Sequence, residues 1–363
     1  MSLKLGLNLG YWGIGPEGDE AVELAQAAEA AGYDSVWVAE AYGSDVISIL
    51  AWLAPQTKTI QLGAAVMQVP ARPPAAAAMA GATIDRLSGG RFIFGFGPSG
   101  PQVSEGWYGV PYAKAWGRTR EYVGIVREIV AREGPLTHHG PHYDLPLPGG
   151  EGKALKLGFH PVRNRIPIFL GSIGRRSVEI TAEVGDGWIP AFFSVESFEE
   201  IWGEHLEAGF AKGERERSDL EISPTVQVAV DGDTETALGM VKAGLLLYLG
   251  GMGSRKTNFY VDLAHRYGFG AEADEIQRLY QDGDRGAAYG AISDELAHAT
   301  SLIGSEAEVA ERVTAFADAG VDRLIAWPAQ GPIASSSTSA AGTVVRPMPT
   351  NPRAWMKARF AST

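Results

Sequence analysis

Apolar positions along the first part of the chain alternate between two periods. Leu3–Leu9 (LKLGLNL) reads as a short apolar strand, and Asp19–Ala31 (DEAVELAQAAEAA) places Val22, Leu24 and several alanines at helical spacing. That helix opens on acidic residues and stops at Gly32, as the macrodipole and a left-handed cap favour. The alternation continues through strand 34–39, helix 44–54, strand 59–67, helix 74–87, strand 91–97 and a long amphipathic helix over 116–132. Strands separated by helices in this way predict parallel βαβ units. Residues 134–166 break the rhythm, because Pro135, Pro141, Pro146 and Pro148 with Gly149, Gly150 and Gly152 predict a loop excursion. The pattern resumes with strand 166–170, helix 176–184, strand 188–191, helix 195–213 and strand 222–230. A helical stretch over about 234–299 shows no strand, and helix 305–319 and strand 323–327 follow it.

Eight strands in roughly 330 residues, with no second composition regime, predict a single (β/α)8 TIM barrel of the α/β class over residues 1–330. Its insertions are the loop at about 134–165 and the helical segment at about 234–299. Residues 331–363, with the run Ser335–Ser336–Ser337 and Pro347 and Pro349, read as a C-terminal arm. A weak internal echo supports a closed repeat. AAEAAGYDSVWVAE (27–40) and AFADAGVDRLIAWP (315–328) share a helix, an Ala-Gly turn, an Asp and an apolar strand. Doubly wound sheets use the same local grammar, so the echo alone leaves both topologies open.

Composition narrows the function classes. The chain carries 31 Lys+Arg against 43 Asp+Glu, a formal balance of −12, which argues against nucleic-acid or anionic-membrane partners. It has no cysteine, so disulfides, thiolate catalysis, zinc–thiolate sites and iron–sulfur clusters are excluded. The opening MSLKLGLNLG lacks the continuous apolar core of a signal peptide, and the longest apolar run, 243–249, is far short of a spanning helix. The expectation is a soluble cytoplasmic protein that acts on a small molecule.

In a barrel, chemistry sits on the loops after the carboxyl ends of the strands. Those positions hold Asn8 and Tyr11, Glu40 and Tyr42, Met67 and Gln68, Gly97–Gly100, Gly171–Arg176, Pro190–Phe193, Asp231 and Trp327. They are rich in glycine, aromatics and amides and poor in acid/base pairs. None of the seven histidines falls at a strand end; His138, His139 and His142 cluster in the loop excursion, where a solvated loop is favoured over a metal site. The strongest physical signal is SIGRR at 172–176. Cations in the first turn of a helix oppose the macrodipole, so Arg175 and Arg176 there suit a bound phosphate together with the free backbone N–H groups. The competing account is a surface helix whose arginines pair with Glu179 or Glu183. FGFGPSG (94–100) is a weak dinucleotide fingerprint, because Pro98 falls where the helix should begin and no helix is predicted at once. Its glycines, like those of LGLNLGYWG and LGAAV, either let a flat ring approach the backbone or fit a crowded interior.

These same segments resemble a known family. GYDSVWVAEAYGSD (32–45), IQLGAAVMQVPARPP (60–74), IDRLSGGRFIFGFGPSGPQVSEGWYG (84–109), RTREYVGIVREI (118–129), AEVGDGWIPA (182–191) and LYLGGMGSRKTNFY (247–260) resemble the bacterial luciferase-like superfamily. Within it they are most similar to the oxidoreductases that use coenzyme F420, a group related to methylene-tetrahydromethanopterin reductase. The resemblance implies a flavin or 5-deazaflavin bound at the carboxyl end, with a cis peptide at Ala65–Val66 backing the central ring. It places the phosphate loop on Ser172, Ile173, Gly174 and Arg175, and the ring contacts on Glu40, Ala64, Ala65, Val66, Met67, Gly97 and the loop through Ser99 to Gly100. It also implies a homodimer. One departure matters: several relatives carry His after the acidic residue of strand two, and here that position is Ala41.

The activity this implies is hydride transfer between coenzyme F420 and an unsaturated C=C, C=N or C=O substrate. The protein then stacks the substrate and supplies a proton or polarises the acceptor. Glu40, Glu105 and Tyr42 lead the candidates for that role, with Tyr11 and Tyr108 beside them. Glu40 has a raised pKa if buried and is otherwise an ordinary exposed carboxylate. Trp12, Trp107 and Phe192 either wall an apolar substrate pocket or serve packing. Two alternatives stand beside this reading: an FMN-dependent luciferase-like monooxygenase with a separate flavin reductase, and a non-catalytic ring-binding barrel. The missing histidine and the cations Arg72, Arg175 and Arg176 favour coenzyme F420, whose tail is a polyglutamate.

Overall fold

Strands buried on both faces are apolar along nearly their whole length, and the computed structural model shows this in β2 (Ser35–Val38) and β5 (Phe92–Gly97), in which every residue is buried and the one polar side chain, Ser35, accepts from Trp37 Nε1. The model describes residues 3–12, 15–230, 233–253 and 257–329. The chain divides into two units. The larger consists of Leu5–Ile189 and Glu204–Ser223; the smaller consists of Pro190–Gly203 and the chain from Pro224, with the first residues up to Lys4.

The larger unit is built on a parallel sheet. Its further strands are β1 (Lys4–Asn8), β3 (Gln61–Ala64), β4 (Met67–Gln68), β8 (Ile168–Leu170), β9 (Gly187–Trp188) and β10 (Glu221–Ile222). They lie in the order β10-β9-β8-β5-β3-β2-β1, with β4 also paired to β5. The register sets Asn8 beside Trp37, Val38 beside Ala64, Gln68 beside Gly97 and Phe96 beside Leu170. Successive carboxyl ends are therefore adjacent, and the residues just past them share one edge. Helices α1 (Gly18–Ala30), α2 (Val46–Leu53), α3 (Pro74–Leu87), α5 (Ala115–Ala131), α6 (Arg175–Val184) and α7 (Glu204–Gly213) form the other layer. Their starts follow local chemistry: the Asp45 side chain accepts from the Ser48 N–H to cap α2, and Pro74 opens α3, where a missing N–H costs nothing.

Several boundaries differ from the pattern-based expectation. The strand expected over 59–67 is two strands, β3 and β4, and the intervening Ala65–Val66 peptide is cis, the geometry that the resemblance implies. The strand expected over 222–230 is β10 and β11 (Thr225–Val230), broken around Pro224, which has no N–H for a ladder. A short helix α4 (Pro101–Gly106) does follow FGFGPSG at once, contrary to expectation. The excursion after α5 holds a two-residue antiparallel hairpin, β6 (His138–His139) with β7 (Asp144–Leu145).

In the smaller unit β11 lies between β13 (Arg323–Pro328) and β12 (Ser301–Gly304), all parallel. β12 falls between two predicted helices and was not expected; four residues are too few to establish a period. The segment after β11 holds α8 (Thr234–Leu246), α9 (Phe259–Arg266), α10 (Gly270–Gln281), α11 (Arg285–Gly290) and α12 (Asp294–Thr300), with α13 (Glu306–Asp318) beyond β12. Val241, Leu245, Leu249, Ile276 and Leu296 form the centre of their shared core. No described helix is long and apolar enough to cross a membrane. Asp231 and the proposed arm at 331–363 lie outside the described residues.

Candidate functional site

The apolar run of β2 carries Glu40 into the protein, where it is only 6% exposed. A carboxylate in such a place needs partners. Arg72 donates to it from both ends of its guanidinium, Nη1 to Oε2 at 3.0 Å and Nη2 to Oε1 at 2.5 Å. The Gln68 N–H donates to Oε2 at 2.8 Å, and the Val46 N–H reaches Oε1 at 3.4 Å. Arg72 is brought there by the single turn Val69–Ala71 between β4 and α3, and its carbonyl accepts from the Tyr122 hydroxyl at 3.2 Å. Burial works against the Arg72 cation, but Glu40 holds its pKa above the ordinary value.

The network extends through Gln68. Its Nε2 donates to Ser99 Oγ at 2.9 Å, and its Oε1 accepts from the Tyr108 hydroxyl at 2.9 Å. Ser99 has a φ of 62°, a left-handed backbone that few residues other than glycine adopt, and it turns the chain from β5 towards α4. Tyr108 has its pKa raised, first by burial and then by Glu40, with Arg72 opposing; its hydroxyl remains protonated around neutrality.

These contacts correct the reading of the candidate acids. Glu40 is neither an ordinary exposed carboxylate nor a free acid, since both of its oxygens are held by a paired cation and backbone N–H groups. Arg72 is correspondingly not a spare cation for an anionic ligand. Glu105, on α4, accepts from the Tyr112 N–H at 2.9 Å through one oxygen. Tyr42 is 61% exposed and has no hydrogen-bond partner among the described residues. No hydrogen bond among the described residues joins Glu105 or Tyr42 to the Glu40 network.

The turn from β3 to β4 lies between glycines. A Cβ added at Gly97 would come within 2.8 Å of Val66 Cγ2, one at Gly171 within 3.0 Å of Val66 Cγ1, and one at Gly95 would overlap the Ala64 carbonyl oxygen. At these positions the crowded-interior account holds, because the missing side chains make room for Ala64–Val66. Ala64 and Met67 are buried, while Ala65 and Val66 retain partial exposure. Of that segment, only Ala65 and Val66 offer an accessible surface to a ligand.

The loop from β8 to α6 shows the opposite electrostatic state. Ser172 is buried, with its hydroxyl 2.8 Å from Thr181 Oγ1 and its carbonyl accepting from Trp188 Nε1. Thr181 directs its own proton to the Ser177 carbonyl at 2.9 Å, so Ser172 is the donor of that pair and its hydroxyl proton is already used. Gly174 caps α6 in extended conformation and provides no side-chain cap, which leaves the N–H groups of the first turn available. Arg176 pairs with Glu179 at 2.6 Å, and Lys212 joins the same carboxylate, lowering its pKa. The surface-pair account thus holds for Arg176. Arg175 is exposed and has no ion pair or hydrogen bond among the described residues. An uncapped helix start beside an unpaired guanidinium fits a phosphate.

Two histidines of the loop are engaged locally: His138 Nε2 lies 2.9 Å from Glu121 Oε1, and His139 contacts Asp144. Sequence reasoning missed the Tyr122 and Thr181 supports, which sit mid-helix with no distinguishing neighbours.

A family model described as luciferase-like monooxygenase matches residues 8–323. The chain belongs to the luciferase-like monooxygenase family. It is 46% identical over 329 residues to a Mycobacterium tuberculosis protein provisionally named a coenzyme F420-dependent oxidoreductase, covering 89% of this chain and 94% of that one. The coenzyme F420-dependent tetrahydromethanopterin reductase of Methanopyrus kandleri superposes with a TM-score of 0.77 at 20% identity, over 90% of this chain and 93% of that one. The FMN-bound oxygenating constituent of 3,6-diketocamphane monooxygenase from Pseudomonas putida gives a TM-score of 0.63 at 19% identity, over 90% and 92%. At those identities the two solved structures show the fold alone. The luciferase-like chain has the α/β TIM-barrel fold expected from its pattern.

Proposed function

We propose that this chain is a coenzyme F420-dependent oxidoreductase that moves a hydride between the deazaflavin and a C=C, C=N or C=O bond of a small organic substrate. The observation that carries the reading is the uncapped start of α6 beside the unpaired Arg175, in a chain 46% identical to a relative named for that coenzyme. When bound, the deazaflavin supplies a ring carbon that carries hydride and does not readily activate oxygen. The chain's own residues do the rest. Arg175 and the first-turn N–H groups of α6 hold the phosphate, with Ile173 and Gly174 shaping the turn. Ala65 and Val66 back the ring, with Val66 wedged against Gly97 and Gly171.

The Glu40–Arg72 pair fixes the backbone at Gln68, and Gln68 in turn ties Ser99 to Tyr108. Of the three candidate acids, Glu40 has both oxygens held, whereas one oxygen of Glu105 and the hydroxyl of Tyr42 have no hydrogen-bond partner among the described residues, so these two are free to carry a proton. Titration of the purified protein with oxidised coenzyme F420 and with FMN tests the reading. Saturable binding of the first and not the second supports it; FMN retention alone turns the assignment to the monooxygenase.

A second copy of the chain is the partner we propose. Trp52, Met79 and Leu87 are 51%, 57% and 54% exposed on α2 and α3, and α2 (VISILAWL) has no charged residue. Exposed apolar side chains of this size on two contacting helices suit an association surface. Trp52→Glu is expected to convert a dimer to a monomer in sedimentation at micromolar concentration; a monomeric unsubstituted protein contradicts the proposal.

A further inference from the structure

The smaller unit holds a group of aromatic rings that the cofactor-binding residues do not use. Phe192, just after the Pro190–Ala191 segment that opens the unit, lies 5.4 Å from Tyr248 and 5.1 Å from Tyr260, ring centre to ring centre. Tyr248 meets Tyr260 edge-on at 4.8 Å and Trp327, at the end of β13, edge-on at 5.7 Å. Tyr248 is buried, whereas Phe192, Tyr260 and Trp327 are each only partly covered. Phe192 and Tyr260 are backed by the helical core around Val241 and Leu249, and Phe192, Tyr260 and Trp327 each keep part of their surface exposed.

Phe192 is also held in an unusual backbone. Its φ is 55°, the left-handed region that a β-carbon disfavours. Tyr267 enforces it: the hydroxyl donates to the Phe192 carbonyl at 2.7 Å and accepts from the Ser194 N–H at 3.2 Å. Tyr267 is in turn fixed edge-on against Trp202 at 6.1 Å. Bulky residues persist in such a conformation only where the surroundings over-determine it, and such positions gather at binding sites. A ring needed only for packing could be buried from ordinary extended backbone.

We propose that Phe192, Tyr260 and Trp327 receive a flat, uncharged, unsaturated ring of the substrate. Aromatic faces and edges favour offset or edge-on contact with a planar π-system. The three rings themselves carry no carboxylate, ammonium or guanidinium, so they favour an uncharged ring over a charged group. As a statement about substrate class, the proposal rests on the hydride-transfer reading; as a binding site, it can be tested without it.

The test is calorimetric titration of the full chain, with no cofactor present, using 2-acetylnaphthalene as a flat uncharged ketone and pyruvate as a small charged one. The expected result is saturable binding of 2-acetylnaphthalene, weakened roughly ten-fold by Phe192→Gly and by Trp327→Leu. Phe192→Gly keeps the left-handed backbone accessible but loses the ring's packing against the helical core, so its folding is checked by thermal unfolding, and Phe192→Tyr, which keeps the ring, retains binding. Affinity for coenzyme F420 is unchanged in all three variants. Absence of saturable 2-acetylnaphthalene binding, binding indifferent to both ring removals, or tighter binding of pyruvate overturns the proposal. If ring-dependent binding persists but coenzyme F420 does not bind, the aromatic site stands and the hydride-transfer reading falls.

Discussion

Arg72 and Arg175 both follow strands of the same parallel sheet, yet they are in opposite states. Arg72 is mostly buried and forked onto Glu40, with its charge matched inside the protein. Arg175 stands at a helix start whose dipole it opposes, exposed and without a partner among the described residues. Position in the chain suggested an anion-binding role for each. The difference is set by what faces them: a carboxylate delivered by β2 in one case, and bare backbone N–H groups in the other. A cation already satisfied is architecture, and a cation left unsatisfied where it costs stability is the one to associate with a ligand.

Substitutions that break the comparison have graded effects. Arg72→Ala leaves Glu40 buried without its cation, and a loss of about 3–5 kcal/mol in urea unfolding is expected. The double change Arg72→Met with Glu40→Gln recovers much of that loss. If Arg72→Ala is as stable as the unsubstituted protein, Glu40 is not the buried anchor described above. Tyr108→Phe removes one hydrogen bond to Gln68, and a smaller loss of about 1 kcal/mol is expected by the same assay.

The remaining effect, at Glu29, depends on pH. Burial raises its pKa, but the N–H groups of Thr59, Ile60 and Lys58 together outweigh that and hold it at about 2. A depressed folded-state pKa gives stability that is present above the unfolded value and lost as pH falls through the folded one. Glu29→Gln should therefore reduce stability at neutral pH, with the difference from the unsubstituted protein fading between about pH 4.5 and about pH 2. A difference that stays constant across that window would contradict the assignment.

The parallel alternation was legible because each βαβ unit repeats two clear periods, and the α6 signal was legible because a cation against a helix dipole is a local conflict. Other features depend on residues distant in sequence. Nothing in the spacing of Glu40 and Arg72 shows that one turn after β4 brings them together. Nothing near Ser172 shows that Thr181 uses its hydroxyl. The glycines at 95 and 97 carried two meanings until the Ala64–Val66 segment was seen to occupy the space beside them. β12 escaped notice because four buried residues between helices carry no period.

The most direct test of the account is equilibrium titration of oxidised coenzyme F420 into two variants that differ by one position. Arg175→Ala is expected to weaken binding by about 1–3 kcal/mol, the scale of a charged hydrogen bond, while Arg176→Ala, which loses only its pairing with Glu179, leaves affinity nearly unchanged. Equal affinities in the two variants and the unsubstituted protein would show that the start of α6 does not hold the coenzyme.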